Sequence, residues 1–128
     1  MKIAALVARI LLGLLFVVFG LNILHPFIPM PKEAPPRLAA DFVGAMMQSH
    51  YFLVVGALQF IGGALLLAGF VPLGLLVLCP IIVNIVLFHV FLNPSGYQMA
   101  IVVSVLAAFL LWAHRDRFAP AMKRVGTQ

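Results

Sequence analysis

The sequence predicts an all-α membrane protein: a four-transmembrane-helix bundle with a short amphipathic interfacial helix between spans one and two. Three observations carry this. Hydrophobic residues fill 65% of the 128 positions and charged residues only 9%, where a soluble domain carries about a quarter charged. Four apolar runs, 3–24, 51–70, 73–92 and 97–113, each reach the roughly 17 to 25 residues that a membrane helix needs. The basic residues flank these runs and form no patch of their own, so the net charge of +5 reads as membrane-flanking charge and excludes a nucleic-acid binder. Residues 1–128 make a single integral membrane domain.

Span one begins after Lys2 and contains Arg9. It is too long for a signal-peptide core, carries that arginine and lacks a clear A-x-A site, so it reads as a retained span. Gly13 and Gly20 follow Arg9 at i+4 and i+11, close to one face, where a neighbouring backbone can approach. Arg9 lies about two turns in, roughly 10 Å. It either snorkels to the surface or reaches a carboxylate. Asp116 is the carboxylate expected on that side, which makes Arg9 and Asp116 a candidate structural ion pair. Asn22 and His25 share a face at the other end.

Five prolines between 26 and 36 then forbid a regular helix. From 37 to 48 the chain turns amphipathic. Leu38, Phe42, Ala45 and Met46 lie on one side and Arg37, Asp41, Gly44 and Gln48 on the other, with Arg37 and Asp41 at the favourable i,i+4 spacing. This segment is too short to span. It reads as an interfacial anchor or as a lid over the bundle mouth.

Span two opens on the interfacial aromatic Tyr51. Gly56, Gln59 and Gly63 recur at i, i+3 and i+7, so Gln59 should face other helices near mid-depth. The connection 69–72 is short enough to force antiparallel neighbours. Span three holds Cys79-Pro80, Asn84 and His89, each costly in hydrocarbon and each in need of a partner. Pro80 removes an amide donor and pushes away the carbonyl near Leu76. Asn93-Pro94-Ser95-Gly96 is a turn. Span four runs between Tyr97 and Trp112, and His114-Arg115-Asp116-Arg117 marks exit into water.

Basic residues set the orientation. Lys2, Arg9, Arg115, Arg117, Lys123 and Arg124 share one side, against Lys32 and Arg37 on the other. The expectation is both termini in the cytoplasm. Asn22, Gln59, Asn84 and His89 then collect in the outer half as a candidate ligand site. It suits a polar head on an apolar body, a quinone or a lipid, with His89 able to donate, accept or shuttle a proton. The alternative is that these groups only hold helices together through hydrogen bonds. Asn84 and His89 are five apart, about 140° around a helix, so they do not point the same way.

Soft donors at Met30, Met46 and Met47, with His25 and His50, have the chemistry of a Cu(I) site. No ligand spacing enforces it, nor haem ligation through His50, His89 or His25, so no metal is assigned. Cys79 stands alone, without a CxxC pair, and reads as a packing residue. No Ser/His/Asp array, phosphate loop or carboxylate pair is present. No catalytic residue can be named, and whether the chain is an enzyme stays open.

The segments ARILLGLLFVVFGLN, LQFIGGALLLAGF and PIIVNIVLFHVFLNPSG, taken together, resemble the DoxX-like family of small four-span membrane proteins over nearly the whole chain. The resemblance implies a helical bundle in a bacterial inner membrane, with some relatives linked to quinol or thiosulfate oxidation and to redox-stress complexes. Arg9 matches the family's basic residue in span one and Asn22 the polar position after the glycine, where Ile23 replaces a common lysine. His89 matches the histidine late in span three. Gln59 stands where the family often has glutamate, and glutamine cannot titrate. The expected function is an accessory or ligand-binding (quinone or lipid) subunit of a redox-related membrane system. The alternatives are a quinone-linked oxidoreductase component using His89, and a small transporter. The expected partners are the lipid bilayer, a membrane redox subunit and further copies of the chain.

Overall fold

The computed structural model describes residues 2–28 and 34–122. Met30 of the soft-donor group, and Lys32, Lys123 and Arg124 of the orientation count, lie outside the described residues. Among those described there is no strand. The helices are α1 (Lys2–Leu24), α2 (Arg37–Gln48), α3 (Tyr51–Ala68), α4 (Val71–Phe91), α5 (Tyr97–Ala113) and the one-turn α6 (Arg115–Phe118), followed by a 3-10 turn, Ala119–Met122. The four long helices cover the four apolar runs, and α2 covers the amphipathic segment.

Local chemistry sets the boundaries. After α1 the Asn22 side-chain oxygen accepts hydrogen bonds from the backbone N–H of Phe27 and Ile28, both at 2.9 Å, and this turns the chain at the helix end. Helix α2 starts directly after Pro35-Pro36. At its far end His50 takes φ +63°, a left-handed conformation that strains a residue with a Cβ. Helix α3 stops at Gly69, φ +96°. There the Gly69 N–H donates to Leu66 O (3.1 Å) and the Phe70 N–H to Leu65 O (2.8 Å), satisfying carbonyls that the helix end would leave open. Pro72 sits in the first turn of α4, where its missing donor costs nothing. Helix α4 runs on through Pro80 without a break, and Cys79 packs against the core.

The long helices close a ring: α1 packs on α3, α3 on α4, α4 on α5, and α5 back on α1. The α1–α3 seam is the tightest. A Cβ on Gly20 would come within 2.6 Å of the Phe60 backbone nitrogen and 2.7 Å of Gly56 O. One on Gly63 would come within 2.6 Å of Gly13 O. Both glycine stripes read from the sequence therefore meet each other, backbone against backbone. Gly62 and Gly74 do the same for α3 and α4, against Leu78 and Leu66. Inside the ring lie Leu12, Phe16, Leu66, Leu75, Leu78, Val103 and Leu110, all fully buried.

The outside is apolar too. Val7, Leu14, Val54, Ile61, Leu76, Val83, Val90, Ile101 and Val105 are all exposed, a surface suited to hydrocarbon and not to water. Helices α1, α3 and α4 are long and apolar enough to cross a membrane, and α5, which bends by 75° into the short helices after it, is a fourth candidate. The chain is thus a multi-pass membrane protein.

Helix α2 differs in one respect from its sequence pattern. Its buried residues are Ala39 and Met46, and Phe42 meets the Phe88 ring at 5.7 Å. Leu38, placed on the inner face by periodicity, is 63% exposed. The ridge offered by α3 and α4 fits the Ala39–Phe42–Met46 stripe, so Leu38 turns outward.

Candidate functional site

Two polar sites lie at opposite ends of the ring. The first sits beneath α2. A cavity of about 180 Å³ is lined by Phe42, Val43 and Met46 of α2, Phe52, Val55 and Gln59 of α3, and Ile81, Asn84, Ile85, Phe88 and His89 of α4. The α4 residues follow one helical stripe. Asn84 and His89 are its two edges, so their wide angular separation lets them bracket a guest from either side.

Gln59 is 6% exposed, since its stripe packs into the ring, yet its amide forms no hydrogen bond with the described residues. Asn84 is exposed on α4 and likewise has no such bond. His89 is held differently. Its Nδ1 donates to Asn93 O (3.0 Å) and Ser95 O (3.1 Å). Two carbonyls around Nδ1 require the proton there, which leaves Nε2 as the ring atom available to a guest. Phe88 packs edge-on to the same ring at 5.3 Å. The 93–96 turn thereby sets the orientation of His89, and Asn93 Oδ1 braces the turn by accepting from the Ser95 hydroxyl and backbone N–H.

The cavity adjoins a larger groove of about 520 Å³. They share Phe42, Met46, Val55, Ile81 and Asn84, and the groove adds Ala45, Ser49, Tyr51, Leu58 and Pro80. Neither lining contains a charged residue. His89 also borders a third cavity, of about 360 Å³, between α4 and α5; Ser104 on its wall has a buried hydroxyl oxygen without a partner among the described residues.

Three of the four expected ligand residues, Gln59, Asn84 and His89, therefore come together. Asn22 lies elsewhere, its oxygen engaged in the turn after α1. Arg9 and Asp116 do not pair. Among the described residues the ion pair is Arg37–Asp41, at 3.8 Å on the surface of α2, worth little at that exposure. Asp116 is instead exposed on α6, beyond the bend that ends α5. His25 and His50 are exposed, and no three of His, Cys, Asp and Glu cluster among the described residues.

The second site was not foreseen. Lys2, Ala5, Leu6 and Arg9 of α1 face Trp112, Ala113, His114 and Arg115 across a cleft of about 510 Å³. Its signal in the sequence was the i,i+7 spacing of Lys2 and Arg9, one helical face without a matching acid in the spans. No protein-family model, curated protein or solved structure matches the chain.

Proposed function

We propose that this chain is a four-span membrane subunit whose cavity beneath α2 holds the head of a neutral, ring-bearing amphiphile, a quinone or quinol, with its tail in the adjoining groove. The observation that carries the reading is Gln59, 6% exposed and without a hydrogen bond to the described residues, beside Asn84 and His89 in a cavity whose other lining residues are apolar. A wholly buried unmet amide costs about 1–3 kcal/mol, which is the most that a guest would recover by pairing with Gln59. A quinone carbonyl accepts from the Gln59 and Asn84 amides, and a quinol hydroxyl donates to their oxygens or to His89 Nε2.

Size and charge support the same guest. A cavity of about 150 Å³ holds a benzene ring, and this one is about 180 Å³. A lining without cations offers nothing to a phosphate head, whose burial would be costly. Phe42, Phe52 and Phe88 supply aromatic surface. On this reading all four long helices cross the bilayer, α2 lies at the interface as a roof, and the basic residues hold both termini in the cytoplasm of a bacterial inner membrane. The DoxX-like resemblance fits an accessory role beside a redox partner subunit. A second reading makes the chain a quinone-linked oxidoreductase component. The fixed His89 ring favours it, with Nε2 taking one hydroxyl proton and water the other as the partner subunit accepts the quinol's two electrons.

The test is the quinone content of gently solubilised protein by native mass spectrometry. Gln59→Leu, Asn84→Leu and His89→Ala should each lower it, about tenfold for Gln59. Unchanged quinone in all three variants would sink the proposal. Topology has its own test: cysteines placed at Arg37 and Arg117 in a Cys79→Ser background should label from opposite sides of the membrane, and same-side labelling would rule out four spans.

A further inference from the structure

At the other end of the ring, where α1 starts and α5 ends, three cations, Lys2, Arg9 and Arg115, face one cleft. Lys2 and Arg9 line one wall of the 510 Å³ cleft, His114 and Arg115 the other, and no carboxylate lines it. Arg9 Nε is buried and has no hydrogen-bond partner among the described residues. A guanidinium carries five N–H donors and a full charge, and one held inside a span without a counter-charge is costly. Gly69, at the α3–α4 turn, lies beside it: a Cβ at that position would sit 3.3 Å from Arg9 Nη1.

The opposite wall is ordered. Arg115 lies over the Trp112 ring, 4.7 Å from its centre, and donates to Trp112 O at 2.8 Å. His114 Nδ1 donates to Leu110 O at 3.1 Å, leaving Nε2 for another partner. These bonds fix the two side chains by their own backbone, so the cleft exists before a ligand arrives. Trp112 and Leu6 are exposed beside it, among residues that suit hydrocarbon. Trp and basic residues at a span end are the pattern of the headgroup layer.

We propose that Lys2, Arg9 and Arg115 form a binding site for a phosphate-bearing anion, supplied by the headgroup of an anionic phospholipid. The phosphate oxygens would accept from Arg9 and Arg115, with Lys2 at the mouth, and the acyl chains would run along the exposed apolar face of α1. Guanidinium groups match phosphate geometry by paired donation. Free phosphate shares that chemistry but has no use for the apolar flank.

The full-length protein is reconstituted in nanodiscs containing phosphatidylcholine with or without phosphatidylglycerol. Retained lipid is read by native mass spectrometry and stability by thermal unfolding, with inorganic phosphate as a separate arm. Phosphatidylglycerol should be retained over phosphatidylcholine and should raise the unfolding temperature. Arg115→Gln and Lys2→Gln, both at exposed positions, should each reduce that preference about five-fold. Arg9→Gln should reduce it at least as much; if that variant does not fold, the two exposed variants decide the matter. Equal retention of the two lipids, or an unaltered preference in the Lys2→Gln/Arg115→Gln double variant, overturns the proposal. Stabilisation by inorganic phosphate alone that matches phosphatidylglycerol assigns the site to a soluble anion and overturns the lipid source.

Discussion

The two ends of the helical ring treat polar groups in opposite ways. Beneath α2 the polar groups are the Gln59 and Asn84 amides and the His89 ring, set among phenylalanines and closed over by a helix. At the α1 start the groups are Lys2, Arg9 and Arg115, and the described structure places no helix over them. Each end nevertheless holds a polar group without a hydrogen-bond partner among the described residues, the Gln59 amide that lines the cavity at one and the buried Arg9 Nε at the other. The difference lies in what could complete them. An amide in a largely apolar cavity is completed by a neutral carbonyl or hydroxyl. A guanidinium whose charge is unmet is best completed by an anion, and at a membrane anions are concentrated in the headgroup layer. The same scaffold therefore offers two ligand chemistries sorted by charge along its axis.

The sharpest way to break this comparison is to disrupt what the two ends share. Gly20→Ala drives a Cβ into the α3 backbone at 2.6 Å, where no flexible side chain can give way. We expect a loss of about 3 kcal/mol, seen as a lowered unfolding temperature in detergent, with both quinone and phosphatidylglycerol retention falling. Loss at one end alone would show that the ends do not depend on a common seam.

Next in size are the crossed variants. Gln59→Leu should lower quinone content about tenfold and leave phosphatidylglycerol preference unchanged. Its stability should hold or rise, because an unmet amide is replaced by an apolar side chain. Lys2→Gln/Arg115→Gln should do the reverse, sparing quinone content. If either variant alters both ligands, the two sites are not separate.

Phe42→Ala tests the roof. Removing its ring from Phe88 forfeits about 0.5–1.5 kcal/mol of aromatic pairing. Quinone should dissociate a few-fold faster, measured by exchange into empty nanodiscs, with the cationic end unaffected. The smallest effect is expected at His50, which is exposed and left-handed at φ +63°. His50→Gly relieves the strain but loosens the unfolded chain, leaving a gain of about 0.5 kcal/mol. Its unfolding temperature should rise slightly, with neither ligand altered.

Much of the scaffold was legible because membrane helices leave a one-dimensional record. Apolar runs mark the long helices, Pro35-Pro36 marks the start of α2, and Gly69 and Gly96 mark turns. Gly13, Gly20, Gly56 and Gly63 announced close faces through their spacing. The candidate site was legible in part. Gln59, Asn84 and His89 were grouped by depth, and depth follows from position along a span. Asn22 shared that depth, yet its oxygen is taken up by the Phe27 and Ile28 amides, a local turn that sequence spacing does not reveal.

The amino-acid sequence by itself determined the helices, their order and which residue types lie at each depth, because apolar length and periodicity are local properties. Rotation was decided by the tertiary structure alone. It turned Ala39 of α2 inward beside Met46 and Leu38 outward, set Asn84 and His89 at the two edges of one cavity, and brought Arg115 opposite Arg9 while Asp116 stayed outside. The physical reason is that a helix's azimuth is fixed by how its ridges fit its neighbours, and that fit depends on residues far apart in the chain.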